Sequence, residues 1–147
     1  MRRLLKIFIL LLFFACNNDD LDLERPIDSD LKIELREWIS PDKQGLHLHA
    51  ATEKIYPCVN YLLMFDQHFD RKRIVITFTG VIETNICLTA LGPATASIYL
   101  SHLEKGIYEL ELNNGALKNH GKLVITDTET KLEFATQNGI QIMKDSP

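Results

Sequence analysis

From Leu31 to the C-terminus, apolar and polar residues alternate in short runs separated by turn residues. Few patterns restrict a fold more tightly, because a period of two puts successive side chains on opposite faces of a strand. In "LKIELREW", Leu31, Ile33 and Leu35 fall on one face, and Lys32, Glu34 and Arg36 on the other. "LHLHA" repeats the pattern after the turn "SPDKQG", with Leu46 and Leu48 opposed to His47 and His49. "PCVNYLLMF" reads as a longer apolar strand, with a short helix at 61–65 as the rival. "RKRIVITFTGV" is a strand rich in β-branched residues behind a basic turn. "NICLTA", "ATASIYL", "IYELEL", "KLVIT", "KLEFA" and "IQIM" complete the series. "NNG" signals a tight hairpin, and "QNG" implies a last hairpin between "KLEFA" and "IQIM". About nine short strands at this spacing, with no heptads and no convincing helix beyond two turns, imply an all-β domain of the sandwich type.

Ahead of the strands the composition changes twice. Arg2, Arg3 and Lys6 form a basic start, and "IFILLLFFA" at 7–15 is apolar throughout. As a helix those residues rise only about 14 Å, too short for a hydrocarbon core of about 30 Å. That is the length of an export signal, not of a membrane span. Residues 17–30, "NNDDLDLERPIDSD", then hold six acids against the lone Arg25. Pro26 interrupts any element there, and the few apolar side chains do not offset the entropy of ordering the segment. The expected organisation is a signal at 1–15, an acidic flexible linker at 16–30 and a β domain at 31–147. Loss of Arg2, Arg3 and Lys6 with the signal takes the net charge from −4 to −7. No clustered basic surface remains to meet a nucleic-acid backbone.

Two stretches resemble known families. The small residue Ala15 followed by Cys16 resembles the lipobox of bacterial lipoproteins, with Phe13 standing where leucine is commonest. The resemblance implies cleavage before Cys16, a diacylglycerol on its thiol and usually an acyl chain, typically palmitate, on its new amino group. "NNDD" is similar to the acidic export signal of surface lipoproteins in Bacteroidota, which implies an outer-membrane, surface-exposed location. "LEKGIYELEL" resembles the loop and strand of fibronectin type III and other immunoglobulin-like sandwiches, where Leu-x-x-Gly-x-Tyr opens the penultimate strand. Carried over, Leu103 and Tyr108 face the core, Gly106 makes the turn, and the Tyr108 hydroxyl bonds back to the loop. The fold implied is an immunoglobulin-like sandwich with an extra C-terminal hairpin.

With Cys16 taken as the lipid site, Cys58 and Cys87 remain. Two thiols in an exported chain are expected to form one disulfide between separate strands. Candidates for other chemistry are thin. His47 and His49 share a strand face at a spacing two metal ligands could use, yet that face is expected to be an ordinary wet one. Glu109 and Glu111 also share a face, but two neighbours on one strand do not flank the cleft that a pair of catalytic carboxylates needs. Trp38, the sole tryptophan, could stack on a sugar and is expected to pack in the core instead. The sequence contains no Gly-rich phosphate loop, GxSxG, HExxH or CxxC. No catalytic residue or cofactor is therefore assigned. The expected function is a non-enzymatic lipid-anchored binding or assembly module whose partner is an envelope protein. A carbohydrate-binding accessory module with a glycan partner is the alternative, and an enzyme or protease inhibitor is a third reading.

Overall fold

The computed structural model describes residues 24–40 and 43–143. The signal at 1–15, Cys16 and the linker up to residue 23 lie outside the described residues. Nine strands follow in order: β1 (Leu31–Ser40), β2 (Lys43–Tyr56), β3 (Leu62–Asp70), β4 (Arg73–Ile82), β5 (Gly92–Leu100), β6 (Gly106–Asn114), β7 (Leu117–Ile125), β8 (Thr130–Phe134) and β9 (Ile140–Ile142). The all-β class read from the alternation holds. "PCVNYLLMF" resolves in favour of a strand from Leu62, not the rival helix. "NICLTA" does not form a strand: residues 83–91 are an irregular connection between β4 and β5. Cys58 and Cys87 accordingly sit in loops and not in strands.

The strands pair as one mixed sheet in the order β8-β7-β6-β4-β3-β5-β2-β1-β9. This corrects the immunoglobulin-like layout, which consists of two antiparallel sheets. Here β4 pairs with β6 in parallel, β9 pairs with β1 in parallel, and β3 meets β5 in parallel at the single pair Leu62 and Thr95. The expected C-terminal hairpin is absent for the same reason. β8 continues the β7 edge, whereas β9 crosses to β1, pairing Leu31 with Ile140 and Ile33 with Ile142.

That separation forces the sheet to curl. Laid flat, eight inter-strand gaps of about 4.8 Å would put β8 and β9 about 38 Å apart. The five residues joining them reach at most about 20 Å. Curling brings the inward faces together as one core. Ile74, Ile76 and Phe78 of β4, Leu110 and Leu112 of β6, and Leu48, Ile98 and Leu123 contribute side chains that are essentially inaccessible to water.

Buried asparagines fasten the curl. Asn119 of β7 is fully buried and donates from Nδ2 to the Leu112 and Asn138 carbonyls, each at 3.0 Å. Its Oδ1 accepts the Asn138 N–H at 2.6 Å. Asn114 Nδ2 donates to the Gly139 carbonyl at 2.8 Å and to the Ser29 carbonyl at 3.0 Å. The Gly139 carbonyl also accepts the Leu31 N–H at 3.1 Å. One carbonyl thus joins β1, near one end of the strand order, to β6 in the other half. Gly139 adopts φ +66°, a left-handed conformation suited to glycine.

The ordered domain begins earlier than the composition implied. Arg25 exchanges two backbone hydrogen bonds with Val81, at 2.9 and 2.8 Å, and Ile27 packs against the core. The Ser29 hydroxyl accepts the Lys54 N–H at 3.0 Å, and Asp28 pairs with Lys54 at 2.5 Å. Residues 25–30, read as linker, are therefore part of the domain. Gly80 allows this approach, since a Cβ there would meet the Arg25 carbonyl at 2.9 Å.

The tyrosine corner is present although the surrounding topology differs. The Tyr108 hydroxyl donates to the Glu104 carbonyl at 3.0 Å and accepts the Glu104 N–H at 2.9 Å. Tyr108 is buried, Leu103 packs against the core, and Gly106 takes φ +148°. The strand it belongs to is the sixth of nine, not the penultimate one.

Candidate functional site

Glu111 departs most from expectation. Alternation places it beside Glu109 on a wet face, and Glu109 is exposed, but Glu111 is only 8% accessible. The reason is register. Parallel pairing of β4 with β6 and antiparallel pairing of β6 with β7 bring Arg73 and His120 to either side of it. Glu111 Oε2 lies 3.0 Å from Arg73 Nη2 and 3.7 Å from His120 Nδ1. Its Oε1 accepts from Asn113 Nδ2 at 3.0 Å, and that amide also reaches the Thr77 hydroxyl at 3.2 Å. An open groove of about 840 Å³ runs alongside, lined by Glu109, His120, Lys122, Leu132 and Phe134 among others.

The Asn113 amide and then the Arg73 guanidinium hold the Glu111 carboxyl below its ordinary value of 4.5, against the opposing effect of burial. A general acid or base is most effective when its pKa is tuned towards the working pH. Glu111 is tuned the other way, so its geometry suits a fixed anion that fastens β4, β6 and β7. A depressed folded-state pKa stabilises the fold fully above the unfolded value and loses that contribution as pH falls through the folded one. Stability is therefore expected to decline as pH drops below 4.5. Glu111→Gln should remove that part of the profile, measured by urea midpoints between about pH 7 and pH 3. An unchanged acid limb in the variant would show that other carboxylates dominate.

His47 and His49 share a face of β2, opposite Arg36 and Glu34 of β1 respectively. Burial, followed by the Arg36 guanidinium, pulls the His49 imidazole below its ordinary value. Glu34 is engaged by Arg36 at 2.6 Å, and His47 lies against the Tyr99 ring with centroids 5.7 Å apart. Among the described residues no group of three or more His, Cys, Asp or Glu side chains is placed to hold a metal. Trp38 lies in β1 opposite Gly45, and its side chain is outside the described residues. Tyr56, Tyr61 and Tyr108 are buried, whereas Tyr99 is 59% exposed. A flat glycan platform needs two or more exposed aromatics; among the described residues Tyr99 on β5 and Phe69 on β3 are exposed, and three of the four tyrosines are committed to the core.

The end of the domain where β2 and β4 finish is built differently. Cys58 and Cys87 stand there at disulfide distance, with Cα atoms 5.2 Å apart. Asn60 fastens the same two loops. Its Nδ2 donates to the Thr84 hydroxyl and, at 2.5 Å, to the Ile86 carbonyl, while Oδ1 accepts the Leu88 N–H at 3.1 Å. With these polar groups satisfied internally, the apolar side chains point outward: Ile86 is 73% exposed and Leu91 78%. Ile55, Val59, Leu62 and Leu88 are also exposed around them. Sequence reasoning missed this surface because "NICLTA" reads as a buried strand. The signal that marks it is the absence of Asp, Glu, Lys and Arg from 55–65 and again from 84–103.

No family model, no curated protein and no solved structure matches the chain.

Proposed function

We propose that the chain is a lipoprotein of the bacterial cell envelope, anchored through Cys16 to the outer membrane, whose β domain is a non-enzymatic binding or assembly module. The observation that carries this reading is the order of its first sixteen residues: a basic start, nine apolar residues too few to span, then Ala15 and Cys16. Two or three acyl chains hold a protein on a bilayer, where one chain binds only marginally. Cys58 and Cys87 at disulfide distance support it, because such pairs persist in oxidising compartments outside the cytosol. The binding role is supported by a domain whose buried carboxylate is fixed by Arg73 and Asn113 and which groups Ile55, Val59, Leu62, Ile86, Leu88 and Leu91, all exposed, at one end.

Intact mass of protein extracted from membranes is the test. The expected mass is that of residues 16–147 plus the acyl chains. Cys16→Ala should move the protein from the membrane fraction to an unprocessed or soluble form. A mature chain starting at Asn17, or a wild-type chain still carrying Met1, would rule out the anchor.

A further inference from the structure

The exposed apolar end and the point where the described chain begins coincide. Arg25 pairs antiparallel with Val81, and its guanidinium reaches Glu83, so Glu24, the first described residue, stands at the end of β4 beside the 83–91 connection. Glu24 is eight residues from Cys16, a distance of at most about 28 Å at full extension. At that same end stand Ile86, Leu88 and Leu91, with Val59 and Leu62 beside them. The nearest charged groups form its rim, where Arg25 pairs with Glu83 at 3.4 Å and Lys54 with Asp28 at 2.5 Å, and where Glu24 is exposed.

We propose that this uncharged end docks on the surface of the bilayer to which Cys16 is anchored, with Ile86, Leu88 and Leu91 entering the headgroup boundary. The inference rests on the anchor proposed above and adds an orientation to it. A soluble protein seldom leaves apolar side chains this exposed in a group unless something covers them. A short tether keeps the bilayer at high effective concentration, so a contact too weak to hold a free domain suffices. Side chains of this kind bury about 5–10 Å into the headgroup and acyl boundary. The rim offers no basic cluster to attract anionic lipid, and Glu24 beside it is acidic, so the docking is apolar and added salt does not weaken it.

The native chain supplies its own control. Trp38 pairs with Gly45, ten residues along β2 from Ile55 and roughly 30 Å from the apolar end. A Leu91→Trp substitution puts a second indole at the tip, where high exposure leaves the core undisturbed. Lipidated wild-type and Leu91→Trp proteins are reconstituted into phosphatidylethanolamine and phosphatidylglycerol vesicles, with plain or brominated acyl chains. The added indole is expected to lose about twofold in emission in brominated vesicles, as a side chain at the acyl boundary would, while Trp38 changes little. The same loss should persist at high salt. If the added indole is not quenched while intact mass shows the acyl chains, docking is overturned and the anchor stands. If its emission shifts to the blue without quenching, a second copy of the protein covers the tip, and docking is again overturned. Equal quenching of both indoles overturns the orientation. A mass without acyl chains overturns the anchor and, with it, the docking.

Discussion

Asn119→Ala is expected to lower the unfolding free energy by about 3 kcal/mol, although the residue is small. The change removes three hydrogen bonds and leaves the Leu112 carbonyl and both backbone groups of Asn138 without that partner. Each buried group left unsatisfied costs about 1–3 kcal/mol, and water entering the space recovers part of it. The location makes the loss informative. Asn138 and Gly139 lie in the connection that carries the chain from β8 across to β9, so the substitution loosens the junction between the two ends of the sheet. Hydrogen exchange should report this locally. The amides of β9 and Leu31 should lose protection before those of β4, where Ile74, Ile76 and Phe78 hold the core. Asn119→Asp is a useful companion, because a carboxylate accepts but cannot donate. It should be at least as damaging as alanine. A loss below about 1 kcal/mol in denaturant melts would assign closure to the β1–β9 ladder instead.

Replacing Cys58 and Cys87 together by alanine is expected to cost roughly 3–4 kcal/mol. The residues are separated by 29 positions, and the chain-entropy model gives about that value for a loop of some 30 residues. The loop contains all of β3 and β4, so a bridge ties the open end of that hairpin. It matters more here than its length alone implies, since β3 meets β5 at only one residue pair. Cys58 is buried but Cys87 is exposed, so a reductant can reach the bond without prior unfolding. Wild-type protein should therefore lose stability on addition of dithiothreitol, while the double variant should not respond. The Asn60 bonds to Thr84, Ile86 and Leu88 persist after reduction and should keep the two loops together in the folded state. A wild-type midpoint unmoved by reductant would show that no bridge forms in solution.

Much of the fold was legible in the sequence because its determinants are local. Strict alternation located β1, β4, β5 and β6 closely, and Leu103, Gly106 and Tyr108 announced a tyrosine corner that the structure contains. What alternation lacks is a partner for each strand. β9 has the same pattern as a hairpin strand, and nothing in "IQIM" says that its ladder lies with Leu31 and Ile33. Parallel pairing of β4 with β6 is equally silent in sequence, and it is this pairing that buries Glu111. Glu109 and Glu111 are indistinguishable by pattern, yet only one has Arg73 and His120 arranged about it. Residues 25–30 were misread for a related reason. Their composition is that of a solvated segment, and they are ordered by backbone bonds to Val81 and by Ser29, contacts that composition does not record. "NICLTA" erred in the opposite direction, being apolar enough for a core strand while no strand edge was available to receive it.

The pairing of β9 with β1 also sets a timetable. Its partners, Leu31 and Ile140, stand near opposite ends of the described chain. Contacts this distant in sequence slow folding, because the chain entropy of closing them must be lost before they form. During synthesis the first strand emerges long before the last, and the buried faces of β1 have no permanent neighbour on that side until residues 140–142 are available. A chain emerging from a ribosome, or passing in extended form through a translocation pore, thus stays short of its native state until almost all of it is through. The fold is therefore completed only once residues 140–142 reach β1.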